Sequence, residues 1–176
     1  RIARAILQIA ESAAFSGRKG LVHSGSAENA KKLVGILSQV SDRFFTHDDK
    51  MTREEALDEF KRSPDPKVLI TASFTTGLDL PYIIGWQVIA KVPFGSLADE
   101  ITSRRKAFVA ADGTKFGQKV YTAEAMNTVV QAAGRIVRAP DDSGPTFILD
   151  ANYQILHRNA FAPQFYLDAY RRFRIE

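Results

Sequence analysis

Apolar residues recur along this chain at two spacings, one typical of amphipathic helices and the other of short buried strands. In the opening segment, Ile2, Ile6 and Ile9 share one face of a helix. A capping box of Thr52 and Glu55 starts another helix. The predicted helices are residues 1–15, 26–37, 52–61, 97–111, 123–138 and the segment after Pro163. The predicted strands lie within residues 20–26, 43–47, 67–73, 85–94 and 144–150.

These strands are short and continuously apolar, and helices separate several of them. That alternation predicts an α/β fold in which a mostly parallel central sheet is flanked by helices on both faces, as a single domain over residues 1–176. Such sheets bind ligands beyond the carboxyl ends of their strands. The loops expected there are residues 24–26, 47–49, 73–80 and 150–152, and residues 112–122 are expected to form a surface loop.

Composition narrows the possible functions. With 45% hydrophobic and 25% charged residues the chain is typical of globular domains, and it lacks the run of roughly 20 apolar residues that a membrane span needs. It contains no cysteine, which excludes disulfides and thiolate zinc sites. The net charge of +4 permits a polyanionic partner. Because Arg1 already lies in a predicted helix, we expect the chain to be a fragment of a longer one.

Polar side chains at helical spacing mark the stretch QAAGRIVRAP at residues 131–140. At about 100° per residue, Gln131, Arg135 and Arg138 share one stripe, and apolar residues cover the other side. A solvated helix face is the ordinary explanation of such a stripe. Both arginines lack an acidic residue within 127–140, so their guanidinium groups are suited to an external anion such as phosphate.

Small and hydroxyl residues follow the third predicted strand, in TASFTTGLDLP at residues 71–81. Thr71 and Ser73 offer hydroxyl groups to a phosphate, and Asp79 offers a carboxylate to a ribose or a cation. An ordinary turn, with Gly77 at a positive φ, explains the same residues.

Four segments in this order, LVHSGS, VLITASFTTGLDLP, VIAKVPF and QAAGRIVRAPDDSGPTFILD, resemble motifs IV to VI of superfamily 2 helicases, most closely those of the XPD/DinG branch. The resemblance implies a RecA-like three-layer domain, the second of two motor domains. It also implies an intracellular protein, cytoplasmic or nucleoid-associated, that hydrolyses ATP with Mg²⁺, both bound mainly by the N-terminal motor domain of the same parent chain. The other implied partner is a single strand of nucleic acid, which we expect to be DNA.

The resemblance also implies roles for individual residues. Arg135 and Arg138, with Gln131 beside them, would reach the γ-phosphate of ATP. Gly77 and Asp79 would contact the nucleotide. The residues implied to hold the nucleic-acid strand are Ser24, Ser26, Thr71, Ser73 and Phe74.

The chain contains neither a Gly-x-x-x-x-Gly-Lys-Ser/Thr loop nor an acidic Mg²⁺-binding run, so we expect no ATP hydrolysis by the fragment alone. Two alternatives stay open. One is a nucleic-acid-binding module without ATP chemistry. The other is an enzyme acting on a small phosphorylated molecule, with Asp79, Asp150 and the arginines in one pocket. The three histidines, His23, His47 and His157, are too scattered in sequence to predict a metal site.

Overall fold

The computed structural model describes residues 1–47, 51–72, 80, 82–137, 141–158 (the backbone alone at Arg158) and 162–173. Within these ranges a five-stranded sheet has the order β2-β3-β1-β4-β5, and every neighbouring pair is parallel. The strands are β1 (Gly20–His23), β2 (Phe44–Phe45), β3 (Val68–Thr71), β4 (Trp86–Ile89) and β5 (Thr146–Ile148). The predicted parallel α/β class is confirmed.

Seven helices surround the sheet in the described part of the chain: α1 (Ile2–Glu11), α2 (Ala27–Leu37), α3 (Arg53–Arg62), α4 (Glu100–Ala107), α5 (Phe116–Ala133), α6 (Tyr153–Arg158) and α7 (Gln164–Ala169). The predicted capping box of α3 is present, with Thr52 and Glu55 each bonding the other's backbone N–H. None of the helices in the described ranges is long and apolar enough to span a membrane.

Alternating strand residues bury two apolar layers, one on each face of the sheet. Val22, Ile70 and Val88 point to the side covered by α1 and α2. Leu21 and Leu69 point to the opposite side, where α3 covers them. Ile89 lies on that second side under α5 and α6. Helices on both faces make the domain a three-layer structure.

Two predicted boundaries around α5 are wrong. Residues 116–122, expected in a loop, form the first turns of α5, and the helix ends at Ala133 instead of continuing to Arg138. The early start depends on Gly117, which lies directly beneath α4. Its N–H donates to the carbonyl oxygen of Phe108 (2.9 Å), and a Cβ there would lie 1.9 Å from the carbonyl oxygen of Arg105. Such a contact between two segments leaves no periodic signal in the sequence.

Candidate functional site

The arginine-bearing segment begins where α5 ends. Gln131 is exposed on the last turn of the helix, and Gly134 caps it. Arg135 is half-buried in the turn that follows, with its N–H donating to the carbonyl oxygen of Ala132 (3.1 Å). The predicted helical stripe is therefore corrected: Gln131 is helical, whereas Arg135 lies beyond the cap. Arg138 lies outside the described residues.

The end of α5 is held by a side chain from the sheet. Gln87, in β4, donates through Nε2 to the carbonyl oxygens of Ala132 (2.9 Å) and Ala133 (3.1 Å). The last carbonyl groups of a helix have no partner within the helix, so an external donor stabilises this end. Sequence reasoning missed Gln87. The sequence feature that could have indicated it is a single polar residue within an apolar strand.

Two of the predicted motif segments converge beside this turn. Ile136, the residue after Arg135, is 3% exposed and packs in one cluster with Leu80 and Ile84. Leu80 directly follows the stretch that contains the predicted nucleotide contacts Gly77 and Asp79. Those two residues lie outside the described ranges, as do the rest of residues 73–79. The flanks of the two motifs therefore share one buried cluster although more than 50 positions separate Leu80 from Ile136.

A second contact joins the far ends of the same segments. The hydroxyl of Tyr82 donates to the carboxylate of Asp141 (2.8 Å), and the N–H of Tyr82 donates to Asp142 Oδ2 (3.3 Å). Donation to Asp141 raises the pKa of the Tyr82 phenol, with a smaller contribution from burial. Tyr82 has φ 59°, in the left-handed region that costs a side chain about 1–2 kcal/mol. Surrounding contacts must hold such a conformation in place.

The predicted strand-binding residues lie at the carboxyl ends of β1 and β3. Ser24 is 1% exposed, and its hydroxyl donates to the carbonyl oxygens of Thr71 (3.0 Å) and Ser26 (2.9 Å). Thr71 is 3% exposed. Ser26 is half-exposed and caps α2, accepting from the N–H of Asn29 (3.1 Å). In this arrangement Ser24 shapes the turn, and Ser26 is the better placed of the two hydroxyls for a ligand. Ser73 and Phe74 lie outside the described residues.

A lysine that the sequence reasoning did not single out lies beside this turn. Gly25 has φ +82°, and a Cβ there would lie 2.9 Å from Cβ of Lys91. Lys91 is exposed and follows β4 by two residues. The first side-chain carbons of Lys91 therefore lie against Gly25, at the carboxyl edge of the sheet. The sequence feature that could have indicated it is a lysine just beyond the end of an apolar strand.

The carboxylate of Asp150 is used within the fold. It accepts from the N–H groups of Val92 (2.9 Å) and Asn152 (3.0 Å), at the carboxyl ends of β4 and β5. The end of α5 and Arg135 lie instead near the amino ends of these strands, because Gln87 is the second residue of β4. Asp150 and the turn that bears Arg135 therefore adjoin opposite ends of β4, which weighs against the small-molecule enzyme.

Charged groups elsewhere make local pairs. Arg104 lies against Glu100, one turn earlier in α4, and Arg105 contacts Glu124 at 3.2 Å. In the parts of the chain that the structure describes, no three acidic or histidine side chains are grouped closely enough to hold a metal ion.

Comparisons with known proteins identify a family and a similar fold. The family described as "Helicase C-terminal domain" matches residues 9–162. Over 91 residues the chain is 31% identical to the ATP-dependent DNA helicase DinG of Photobacterium profundum, an alignment that covers 51% of this chain and 13% of that protein. The fold is similar to that of the Saccharomyces cerevisiae Dbp5 C-terminal domain solved with Gle1 and IP6, with a TM-score of 0.53 and 18% identity over 96% of this chain and 78% of that one.

Proposed function

Because the chain belongs to the helicase C-terminal domain family, we propose that it is the second motor domain of an ATP-dependent DNA helicase. In this proposal Arg135 and Arg138 reach the triphosphate of ATP held by an N-terminal motor domain of the same parent chain, with Gln131 beside them. Gly77 and Asp79 contact the nucleotide from the neighbouring segment.

One observation carries the proposal. Ile136, the residue after Arg135, belongs to one buried apolar cluster with Leu80 and Ile84, and Leu80 directly follows Asp79 in the sequence. The described flanks of two segments with residue types suited to a nucleotide therefore belong to one buried cluster. An arginine delivered from one domain to a triphosphate on another stabilises the charge of phosphoryl transfer when the two domains close together. This arrangement ties hydrolysis to domain motion.

The side chains at this site suit the phosphate groups of ATP but not its metal ion. Arg135 supplies a cation, whereas the described residues hold no cluster of metal ligands and the sequence has no phosphate-binding loop. ATP with Mg²⁺ supplies the free energy of hydrolysis, and the N-terminal motor domain is proposed to bind most of both. The isolated chain is then expected to be inactive as an ATPase.

A single strand of DNA is proposed to cross the carboxyl edge of the sheet. The turn of residues 24–26 carries the Ser26 hydroxyl there, and the stem of the exposed Lys91 side chain lies against Gly25 of the same turn. Contacts of hydroxyl and ammonium groups with phosphates hold a strand without reading its bases. Ser24 and Thr71 support this turn from beneath, and Ser73 and Phe74 remain predicted contacts.

The arginine role is tested in the complete protein that contains this chain. We expect Arg138→Ala or Arg135→Ala to lower kcat for ATP hydrolysis by about 10³-fold, as loss of an arginine finger does, with nucleotide affinity within about threefold of the wild type. Steady-state hydrolysis and equilibrium binding of a fluorescent ATP analogue measure the two quantities.

Arg104→Ala is the matched control, since Arg104 is exposed on α4 beside Glu100. It should leave both quantities unchanged. Wild-type turnover by Arg138→Ala, or clear ATPase activity of the isolated 176-residue chain, would refute the proposed division of labour.

A further inference from the structure

A buried amide lies near the centre of the sheet, on the face that also carries the polar residues His23 and Thr146. Gln87 is 0% exposed, and its neighbours on this face of the sheet include Leu21 and Ile89. Burying an amide without hydrogen bonds is costly, so its partners explain why the fold tolerates it. The two hydrogens of Gln87 Nε2 are shared among three acceptors: the carbonyl oxygens of Ala132 and Ala133 and, at 2.7 Å, Oγ1 of Thr146.

The fourth contact reaches β1. Oε1 of Gln87 lies 3.2 Å from Nε2 of His23, which is also 0% exposed. Because two carbonyl oxygens fix the NH₂ end of the amide, Oε1 must face His23, and this oxygen can only accept. His23 Nε2 therefore carries the proton. One amide group thus touches both the residue before Ser24 and the last residues of α5.

The geometry points to Gln87 as a positioning residue for Arg135, an inference that rests on the proposed function. By binding the carbonyl groups of Ala132 and Ala133, Gln87 determines where α5 stops and therefore where the chain turns to present Arg135 two residues later. Through His23 the same amide connects this turn with the proposed strand-binding turn of residues 24–26. Gln87 acts on turnover through the backbone, without touching the nucleotide.

The test uses Gln87→Met in the complete protein, which keeps the length of the side chain and removes its hydrogen bonds. A displacement of about 1 Å in a reacting group can cost about 100-fold in rate. We expect kcat for ATP hydrolysis at saturating single-stranded DNA to fall about 10- to 100-fold, with KM for ATP within about threefold of the wild type. Unchanged kcat would overturn the inference.

Val88→Ala is the matched control, because Val88 is the next residue of β4, is equally buried and points to the opposite face. It creates a cavity without touching α5 and should leave kcat within about twofold of the wild type. An equal fall of kcat in both variants, at matched stability in urea unfolding, would show a merely structural role and overturn the inference.

A double variant separates this inference from the proposed function. If Gln87 acts through Arg135, then Gln87→Met combined with Arg135→Ala turns over no more slowly than Arg135→Ala alone. Additive losses would overturn the inference while leaving the arginine role intact. Wild-type turnover by Arg135→Ala alone would instead refute the proposed function.

Thr146 provides a second route if Gln87→Met does not fold. Thr146→Ser keeps the hydroxyl that accepts from Gln87, and Thr146→Val removes it with little change of shape. We expect kcat to fall several-fold in Thr146→Val and to be restored in Thr146→Ser. Equal kcat in the two variants would overturn the inference.

Discussion

Arg43 is a charged residue that stabilises the fold through backbone contacts. Its guanidinium group donates to the carbonyl oxygens of Pro66 (2.8 Å), Ala10 (2.9 Å) and Arg18 (3.2 Å). Burial lowers the pKa of this side chain from its ordinary value, with Glu11 acting weakly in the opposite direction. One side chain therefore links the start of β2 with the end of α1 and with the segments before β1 and β3.

We expect Arg43→Met to lower the free energy of unfolding by about 1–3 kcal/mol, because three carbonyl groups lose their charged donor. Urea denaturation of this chain measures the change. Arg62→Met is the control, since Arg62 is exposed and lies 4.0 Å from Asp58, and it should change stability by less than about 0.5 kcal/mol. Equal losses in the two variants would contradict the structural role of Arg43.

The residue types of the candidate site could be predicted from the sequence, but the burial and the partners of some of these residues could not. The hydroxyl and arginine types near Ser26 and Arg135 were visible in the sequence. The burial of Ser24 was not, because its hydroxyl bonds Thr71, which is 47 positions away. Gln87 was missed for the same reason, because its partners lie on other elements, far along the chain.

At the scale of elements, α4 and α5 form a hairpin that depends on one close approach. Gly117 lets the first turn of α5 lie against the last carbonyl groups of α4, where a Cβ would be 1.9 Å from the backbone oxygen of Arg105. A backbone atom in this position cannot rotate away. The start of α5 is therefore decided by packing between helices.

We expect Gly117→Ala to destabilise the chain by about 1–3 kcal/mol, because the added methyl group forces the two helices apart. Thermal or urea unfolding measures this. In Gly35→Ala, on the exposed side of α2 with no atom within 4 Å, higher helix propensity should instead stabilise by about 0.5–1 kcal/mol. Stabilisation by Gly117→Ala would show that the two helices do not meet closely.

Helix ends that are capped by neighbouring residues could be predicted from the sequence. Helix ends that depend on distant residues could not. Thr52 and Glu55 lie three positions apart, so the start of α3 can be inferred from a short segment. The end of α5 involves Gln87, which is 45 positions before Ala132. The helical pattern continues through Val137, and the helix nevertheless stops at Ala133.

At the scale of the whole molecule, the sheet is buried at its centre and more exposed at its edges. All four residues of β1, β3 and β4 are buried, whereas the three residues of β5 are half-buried and β2 has two residues. Stability against local opening should therefore decrease from the centre to the edges.

Native-state hydrogen exchange measured by NMR tests this gradient. We expect the amide protons of Val22 and Ile70 to exchange at least about 10-fold more slowly than that of Phe147, because exchange at the centre requires nearly global unfolding. Faster exchange in β1 than in β5 would contradict the burial pattern.

The sequence by itself determined the identity of most elements, the parallel α/β class and the segments whose residue types suit a nucleotide. Periodicity, capping residues and short motifs act over a few positions, so they can be recognised along the chain. The tertiary structure decided the strand order β2-β3-β1-β4-β5, the end of α5 at Ala133 and the burial of Ile136 in one cluster with Leu80. These features depend on groups tens of positions apart, whose meeting is determined by burial and hydrogen bonding in the folded chain.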